Sequence, residues 1–389
     1  MEAPNQRTAY LGPEASFSHQ AAIEALPHTE PVPLPSFKAI LKSLQQSGPG
    51  NEDSYDYAVL PVENSTNGSV VQALDLLAQC GLDPETSLYP DVEVVDEHYL
   101  EIHHCLFVKR AWAEEVLDKE ELAFIERCSK WVNKLSTNGI HNGQVDDREA
   151  SDARKISKVE ILEKLSIKTL YSHPQVWGQC NTMLSAVLPP GHVDRIDISS
   201  TSAAAAHVAS TSSASQERIA AISSSLAGAK HHKDLICVAS NIEDEPGENT
   251  TRFLILRNRN RVYNKHYDLD ISNGESAQVK SLWAFTIAHH VPGSLAMTLA
   301  VFAKHGFNLS AIQSRPRPKG KSLVPQNGSP VSQGEKDKNW KYVFFVECLH
   351  STKLECLGSV KAEPVSLLQD LKGVTEQVSP LGSWNDRLS

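Results

Sequence analysis

The sequence predicts an α/β protein: two lobes around a cleft, followed by a smaller βαββαβ module. Three observations carry this. Short apolar runs repeatedly end in polar turns that open into helices, as at Thr8–Ser18 and Tyr57–Ser69. That is the strand–turn–helix grammar of α/β folds. The polar turns are crowded with hydroxyls and amides, a layout that lines clefts with helix N-termini. After a polar stretch without apolar periodicity, Arg257 to Gln278, strand and helix signals resume at Leu282 in the order of a ferredoxin-like fold.

Composition bounds the chemistry. The chain has 389 residues and a formal net charge of −10, without a basic block. That length suits two or three domains, and the charge argues against nucleic acid as a partner. Seven scattered cysteines form no CxxC pair, which argues against a disulfide framework or zinc site and suits a reducing cytoplasm. No apolar stretch approaches membrane-spanning length, and residues 1–10 carry no signal-peptide pattern. No dinucleotide glycine fingerprint, P-loop or metal-ligand cluster is visible, so neither cofactor nor metal is expected.

Taken in order, Thr8-Ala9-Tyr10-Leu11 is a strand stopped by Gly12-Pro13, with Ser16 ahead of a helix from His19 to Leu26. Ser16 is either an anion-binding donor or a plain N-cap. Tyr57 to Val62 is a strand ending in Glu63-Asn64-Ser65-Thr66-Asn67-Gly68-Ser69, more hydrogen-bonding side chains than a cap requires. A helix follows, with Val70, Ala73, Leu74 and Leu77 on one face and Gly81 as its stop. His104 to Val108 is a strand reached by a crossing out of the first lobe, and Ser136 to Lys158 is a polar loop. Thr169 to Ser172 leads into a helix from Pro174 to Leu188, with Ser172 at or near its cap and Gln179 about two turns in. Here His173 is a site residue or an ordinary satisfied histidine, and Cys180 a buried thiol. Val193 to Ile198 precedes a fourth hydroxyl-rich helix start, Ser199 to Ser202; Arg218 to Ile222 and Leu235 to Ser240 are strands.

The stretch Asn249-Thr250-Thr251-Arg252-Phe253 opens the apolar run to Leu256. It sets hydroxyls, an amide and a guanidinium at the mouth of a strand, where α/β proteins keep their chemistry. In the last module, Leu282 to Ile287, Asn308 to Ser314, Tyr342 to Val346 and Val374 to Val378 are strands. Helices start after Pro292-Gly293-Ser294 and at Val365, and Lys319 to Asn339 is a Gly, Ser, Lys and Pro-rich loop.

These residues resemble the prephenate dehydratase family with a C-terminal ACT regulatory domain. Gly12-Pro13-Glu14-Ala15-Ser16-Phe17-Ser18 is similar to the family's GPxG(T/S)FS, with Ala15 at the second glycine. Pro61 to Ser69 resembles P(I/V)ENSxEGS, with Asn67 for Glu; Ser172-His173-Pro174-Gln175 with Gln179-Cys180 resembles SHPQxxxQC. Ser200-Thr201-Ser202-Ala203 resembles STxxA, and Thr251-Arg252-Phe253 matches TRF. In the last module Gly293-Ser294-Leu295 resembles GALxxxL, and Gln313-Ser314-Arg315-Pro316 resembles ESRP with Gln313 for the acid.

The resemblance implies a two-lobed, periplasmic-binding-protein-like catalytic domain over residues 6–257, its lobes about 6–98 with 239–257 and 99–238, and an ACT domain over 281–385. It implies decarboxylating dehydration of prephenate to phenylpyruvate; arogenate is the alternative substrate, and a non-catalytic sensor the alternative protein. Thr251, Arg252, Asn64, Ser172 and Gln179 are then the catalytic candidates. Thr251 is a positioned donor to the leaving oxygen, and Arg252 either meets a substrate carboxylate or pairs with a lobe carboxylate. Glu63, Ser65, Ser16, His173, Ser200, Thr201 and Phe253 are substrate-binding candidates. Pro292, Gly293, Ser294, Leu295, Gln313, Ser314, Arg315 and Pro316 would bind phenylalanine as effector, in a homodimer or homotetramer.

Overall fold

The apolar runs that end in Gly, Ser or Asn become strands, and the structure shows what covers them. A computed structural model describes residues 6–47, 54–82, 87–135, 158–189, 191–211, 218–231, 233–245, 247–261, 278–316, 341–351 and 365–388. Residues 136–157, 262–277 and 317–340, which hold both long loops and most of the linker, lie outside the described residues.

The first lobe is built from β1 (Arg7–Leu11), α1 (Phe17–Ala25), β2 (Glu30–Leu34), α2 (Phe37–Gln45), β3 (Tyr57–Asn64), β4 (Gly68–Ser69), α3 (Val71–Leu77) and β5 (Val92–Glu101). Helix α2 shows the local logic. Ser36 caps it through Ala39 N–H at 3.1 Å, and Phe37, Ile40, Leu41 and Leu44 form a buried stripe at helical spacing. The chain then crosses to the second lobe: β6 (Cys105–Lys109), α4 (Arg110–Val116), α5 (Lys119–Leu135), α6 (Lys158–Leu165), β7 (Thr169–Ser172), α7 (Pro174–Gln179), α8 (Asn181–Val187), β8 (Asp194–Asp197), α9 (Thr201–Ser210), β9 (Ile219–Ser223), α10 (Ser225–Lys230) and β10 (Leu235–Ser240). It returns as β11 (Thr250–Asn258), which lies between β5 and β3 and runs antiparallel to both. The second-lobe sheet has the order β10-β6-β9-β7-β8.

The last module contains β12 (Gln278–Thr286), α11 (Ser294–Lys304), β13 (Asn308–Pro316), β14 (Tyr342–Ser351), α12 (Val365–Val374) and β15 (Gln377–Asn385). Its order, β13-β14-β12-β15, is ferredoxin-like. The module does not hang free. Strand β15 meets β5 in parallel at Gly382 and Val94, so its sheet continues that of the first lobe. Leu282, Ala284, Phe345 and Trp384 share one apolar core with Leu74, Leu77, Leu254 and Leu256.

One local expectation changes. The helix from Pro174 to Leu188 is two helices meeting at Cys180, whose φ of −122° breaks the turn. Ser172, the last residue of β7, lies next to the N-cap His173, near the cap as expected. Residues 92–101, given no element from the sequence, form β5.

Candidate active site

Strand β11 carries the site because alternation sends its residues to two faces. Phe253 and Ile255 join the core beneath α1, whereas Leu254 and Leu256 join the core facing the last module. Thr251 belongs to the first set and Arg252 to the second.

Thr251 lies opposite Asn64 in the β11–β3 register. The Asn64 amide nitrogen donates to Thr251 Oγ1 at 3.0 Å, to Asn249 Oδ1 at 2.8 Å and toward the Thr250 carbonyl at 3.3 Å. Its carbonyl oxygen accepts from Asn67 N–H at 2.9 Å, Asn67 Nδ2 at 3.1 Å and Thr66 N–H at 3.1 Å. Those donors fix the Asn64 amide with nitrogen toward Thr251. Thr251 Oγ1 is therefore an acceptor toward Asn64, and its own hydrogen is left to donate. Ser65 braces the turn: it donates to the Glu248 carbonyl and accepts from Thr250 N–H at 2.9 Å.

Across the hinge, Gln179 ends α7 with its Oε1 2.9 Å from His104 Nε2. The turn before α1 also reaches the second lobe. Ser224 Oγ donates to the Ala15 carbonyl at 3.1 Å, and Lys230 pairs with Glu14 at 2.6 Å.

Other candidates are committed elsewhere. Arg252, 8% exposed, has nitrogens 2.8 Å from Glu97 and 2.9 Å from Glu347, with Glu63 at 3.8 Å. Burial would weaken its charge, but Glu347 and Glu97 reverse this and raise its pKa. The salt-bridge alternative describes it, and its charge is already matched within the protein. Ser172 is fully buried and donates to the Ile222 carbonyl at 2.8 Å. Phe253 is a core residue. Ser16 and Ser200 act as N-caps, accepting from His19 N–H at 3.3 Å and Ala203 N–H at 3.1 Å. His173 Nδ1 caps α7 through Gln175 N–H at 3.4 Å, and burial lowers its pKa. Thr201 is buried, its carbonyl taking the Ser223 hydroxyl at 2.8 Å.

In the last module Gly293, at φ +83°, precedes α11, and Pro292 is exposed. Ser294 donates to the Ala288 and Val291 carbonyls at 3.1 and 2.9 Å, and Leu295 packs on the module's core. Gln313 and Glu347 line a cavity of about 30 Å³ against Leu74, Leu77 and Leu254 of the first lobe. Ser314 is exposed, Pro316 pairs with Tyr342, and Arg315 Nε donates to Asp75 on α3 at 2.6 Å. Tyr342 N–H also donates to His289 at 3.1 Å, so the Gly293 turn and the end of β13 meet at one end of the sheet.

Asn249, His104, Glu97 and Glu347 received no role from the sequence. Only Asn249 had a signal, its place beside Thr251. Among the described residues, no group of three or more His, Cys, Asp or Glu could hold a metal ion, and no helix is long and apolar enough to cross a membrane.

The arrangement joins a hydroxyl donor and oriented amides in a two-lobed fold. The prephenate dehydratase family profile matches residues 8–158 and 155–261. The chain belongs to the prephenate dehydratase family. It is 31% identical over 364 residues to a probable prephenate dehydratase of Saccharomyces cerevisiae, covering 89% of this chain and 88% of the relative. It is 28% identical to a bifunctional chorismate mutase/prephenate dehydratase of Aquifex aeolicus, covering 97% of this chain and 73% of the relative. The fold matches the prephenate dehydratase of Arthrobacter aurescens solved with L-Phe, at a TM-score of 0.61, 21% identity and coverage of 98% and 90% of the two chains.

Proposed function

We propose that the protein is a prephenate dehydratase, converting prephenate to phenylpyruvate, water and carbon dioxide in phenylalanine biosynthesis. The observation that carries this reading is the Asn64–Thr251 hydrogen bond, 3.0 Å long, within a matched family profile. The ring carboxylate leaves as carbon dioxide, and its bonding pair enters the ring. The ring hydroxyl departs from the opposite carbon, and one proton completes the water. Aromatisation supplies the driving force. A threonine hydroxyl is too weak an acid to surrender its proton outright. Thr251, its oxygen held by Asn64, instead donates a hydrogen bond to the departing oxygen as charge develops there, and the solvent proton follows. Gln179 supplies a donor from the facing lobe. Arg252 holds the strand in place and is not assigned to a substrate carboxylate.

The last module reads as an ACT domain that binds phenylalanine and inhibits the enzyme. In support, its Gly293 turn and Gln313–Pro316 segment lie at one end of the ferredoxin-like sheet, and the Arthrobacter protein was solved with L-Phe. Strand β13 is an edge strand with Leu309 and Ile312 exposed, a surface suited to a second copy in a homodimer. Buried thiols such as Cys80 and Cys180 agree with a cytoplasmic enzyme.

The test is phenylpyruvate formation from prephenate by the purified protein, with arogenate assayed in parallel for phenylalanine. Turnover of prephenate supports the reading. Turnover of arogenate alone replaces the substrate, and turnover of neither by folded protein removes the enzymatic reading.

A further inference from the structure

Two chain segments, 102–104 and 241–245, lie between the strands of the two lobes, and His104 is clamped where they meet. Glu243 accepts His104 N–H at 2.9 Å through Oε2 and lies 2.7 Å from His103 Nδ1 through Oε1. The His104 carbonyl accepts Ile242 N–H at 3.1 Å. The ring, 1% exposed, stands edge-on to Phe17 of the first lobe, with centroids 5.8 Å apart and planes at 82°. Its Nε2 lies 2.9 Å from Gln179 Oε1 in the second lobe. Its Nδ1 is buried without a hydrogen-bond partner.

This geometry decides where the proton sits. Burial lowers the pKa of His104, while Gln179 and Glu243 oppose and His103 adds to the lowering. The ring is neutral, and its one proton has two possible places. On Nδ1 it would be a buried donor without an acceptor. On Nε2 it is satisfied by Gln179, leaving only a bare acceptor at Nδ1. The second arrangement makes Gln179 Oε1 the accepting end of the amide. The –NH₂ of this half-buried side chain is then left to donate.

We propose that His104 is a positioning residue: its Nε2–H fixes the Gln179 amide so that the –NH₂ donates to an oxygen of the substrate in the cleft. Because the same ring packs on Phe17, the amide is oriented at the point where the two lobes hinge. The substrate part rests on the prephenate reading, but the tautomer does not.

Two measurements test it on the full-length protein. Nitrogen NMR of the histidine rings at neutral pH should find His104 protonated at Nε2 and bare at Nδ1; protonation at Nδ1 overturns the proposal. In steady-state kinetics with prephenate, His104→Phe should raise KM about tenfold or more, the scale of one lost hydrogen bond to a charged group, with a smaller fall in kcat. His104→Gln, which keeps an N–H donor, should recover KM to within about threefold. In a Gln179→Ala background, His104→Phe should add nothing. Additive effects in that background, or equal damage from both His104 variants in step with lost thermal stability, overturn it. A wild-type protein inactive on prephenate would remove the functional reading, while the NMR result would still decide the Gln179 orientation.

Discussion

Arg252 and Glu347 join the strand of Thr251 to the last module, guanidinium to carboxylate at 2.9 Å. The bond is one end of a chain of charges. Glu97 lies 2.8 Å from Arg252 and 2.7 Å from Lys280, which is 2.9 Å from Asp386. A shift of β14 on effector binding would therefore pull on the residue next to Thr251. Glu347→Gln should leave turnover without effector within about threefold of wild type, and raise the phenylalanine needed for half-inhibition at least tenfold, inside the usual range of allosteric coupling. Inhibition curves of the two proteins decide it, and unchanged sensitivity would detach this bridge from regulation.

Gly382 makes the backbone junction between the two sheets. A Cβ there would lie 1.9 Å from the Val94 carbonyl oxygen. Gly382→Ala should part the last module from the first lobe. Calorimetry should then show two transitions where the wild type shows one, and limited proteolysis should release a fragment spanning the first two lobes.

Ala15 occupies a left-handed conformation, φ +64°, and is buried against the second lobe. His19 Nδ1 accepts its N–H at 2.9 Å, and Ser224 donates to its carbonyl at 3.1 Å. The strain of alanine there, about 1 kcal/mol, nearly offsets what Ala15→Gly would lose in methyl burial and chain entropy, so that variant should stay within about 1 kcal/mol of wild type. Ala15→Val sets a branched side chain at positive φ in a packed core and should lose more than about 2 kcal/mol. Denaturant unfolding measures both.

The His103–Glu243 pair should make hinge stability depend on pH. The Glu243 hydrogen bond leads the causes that raise the pKa of His103 above its ordinary 6.5. Its contribution is complete below that value and is lost as pH rises through the raised one. For Glu243 burial acts upward, but the His103 bond and backbone N–H groups prevail and hold it below 4.5. Its contribution is present above that value and fails in acid. The difference in Tm between wild type and Glu243→Gln should therefore be largest from about pH 4.5 to 6.5 and shrink toward pH 9. A constant difference across that range would contradict the assignment.

What was legible in the sequence was local. The turn after β3 and the start of β11 announce themselves through crowded polar side chains, and they do meet, at Asn64 and Thr251. The βαββαβ order was equally readable from strand and turn signals. Partners far along the chain were not. Arg252 finds Glu97 and Glu347, 155 and 95 residues away, and no local pattern links them. Strand β5 received no element from the sequence: Val92 to Val94 alternates as a strand does, but Asp96, Glu97 and His98 break the pattern with charge, and their partners Arg387, Arg252 and Glu24 come from three other places. Ser172 reads as a cleft donor by its motif, yet alternation along β7 turns it into the lobe, toward Ile222.

The most direct test of the account is the rate of phenylpyruvate formation from prephenate by wild type and Thr251→Ala, with folding checked by circular dichroism. The account predicts turnover in the wild type and a fall in kcat of about 100-fold or more in Thr251→Ala, the scale of a lost transition-state donor, in a folded protein. Wild-type-like turnover by folded Thr251→Ala would contradict it.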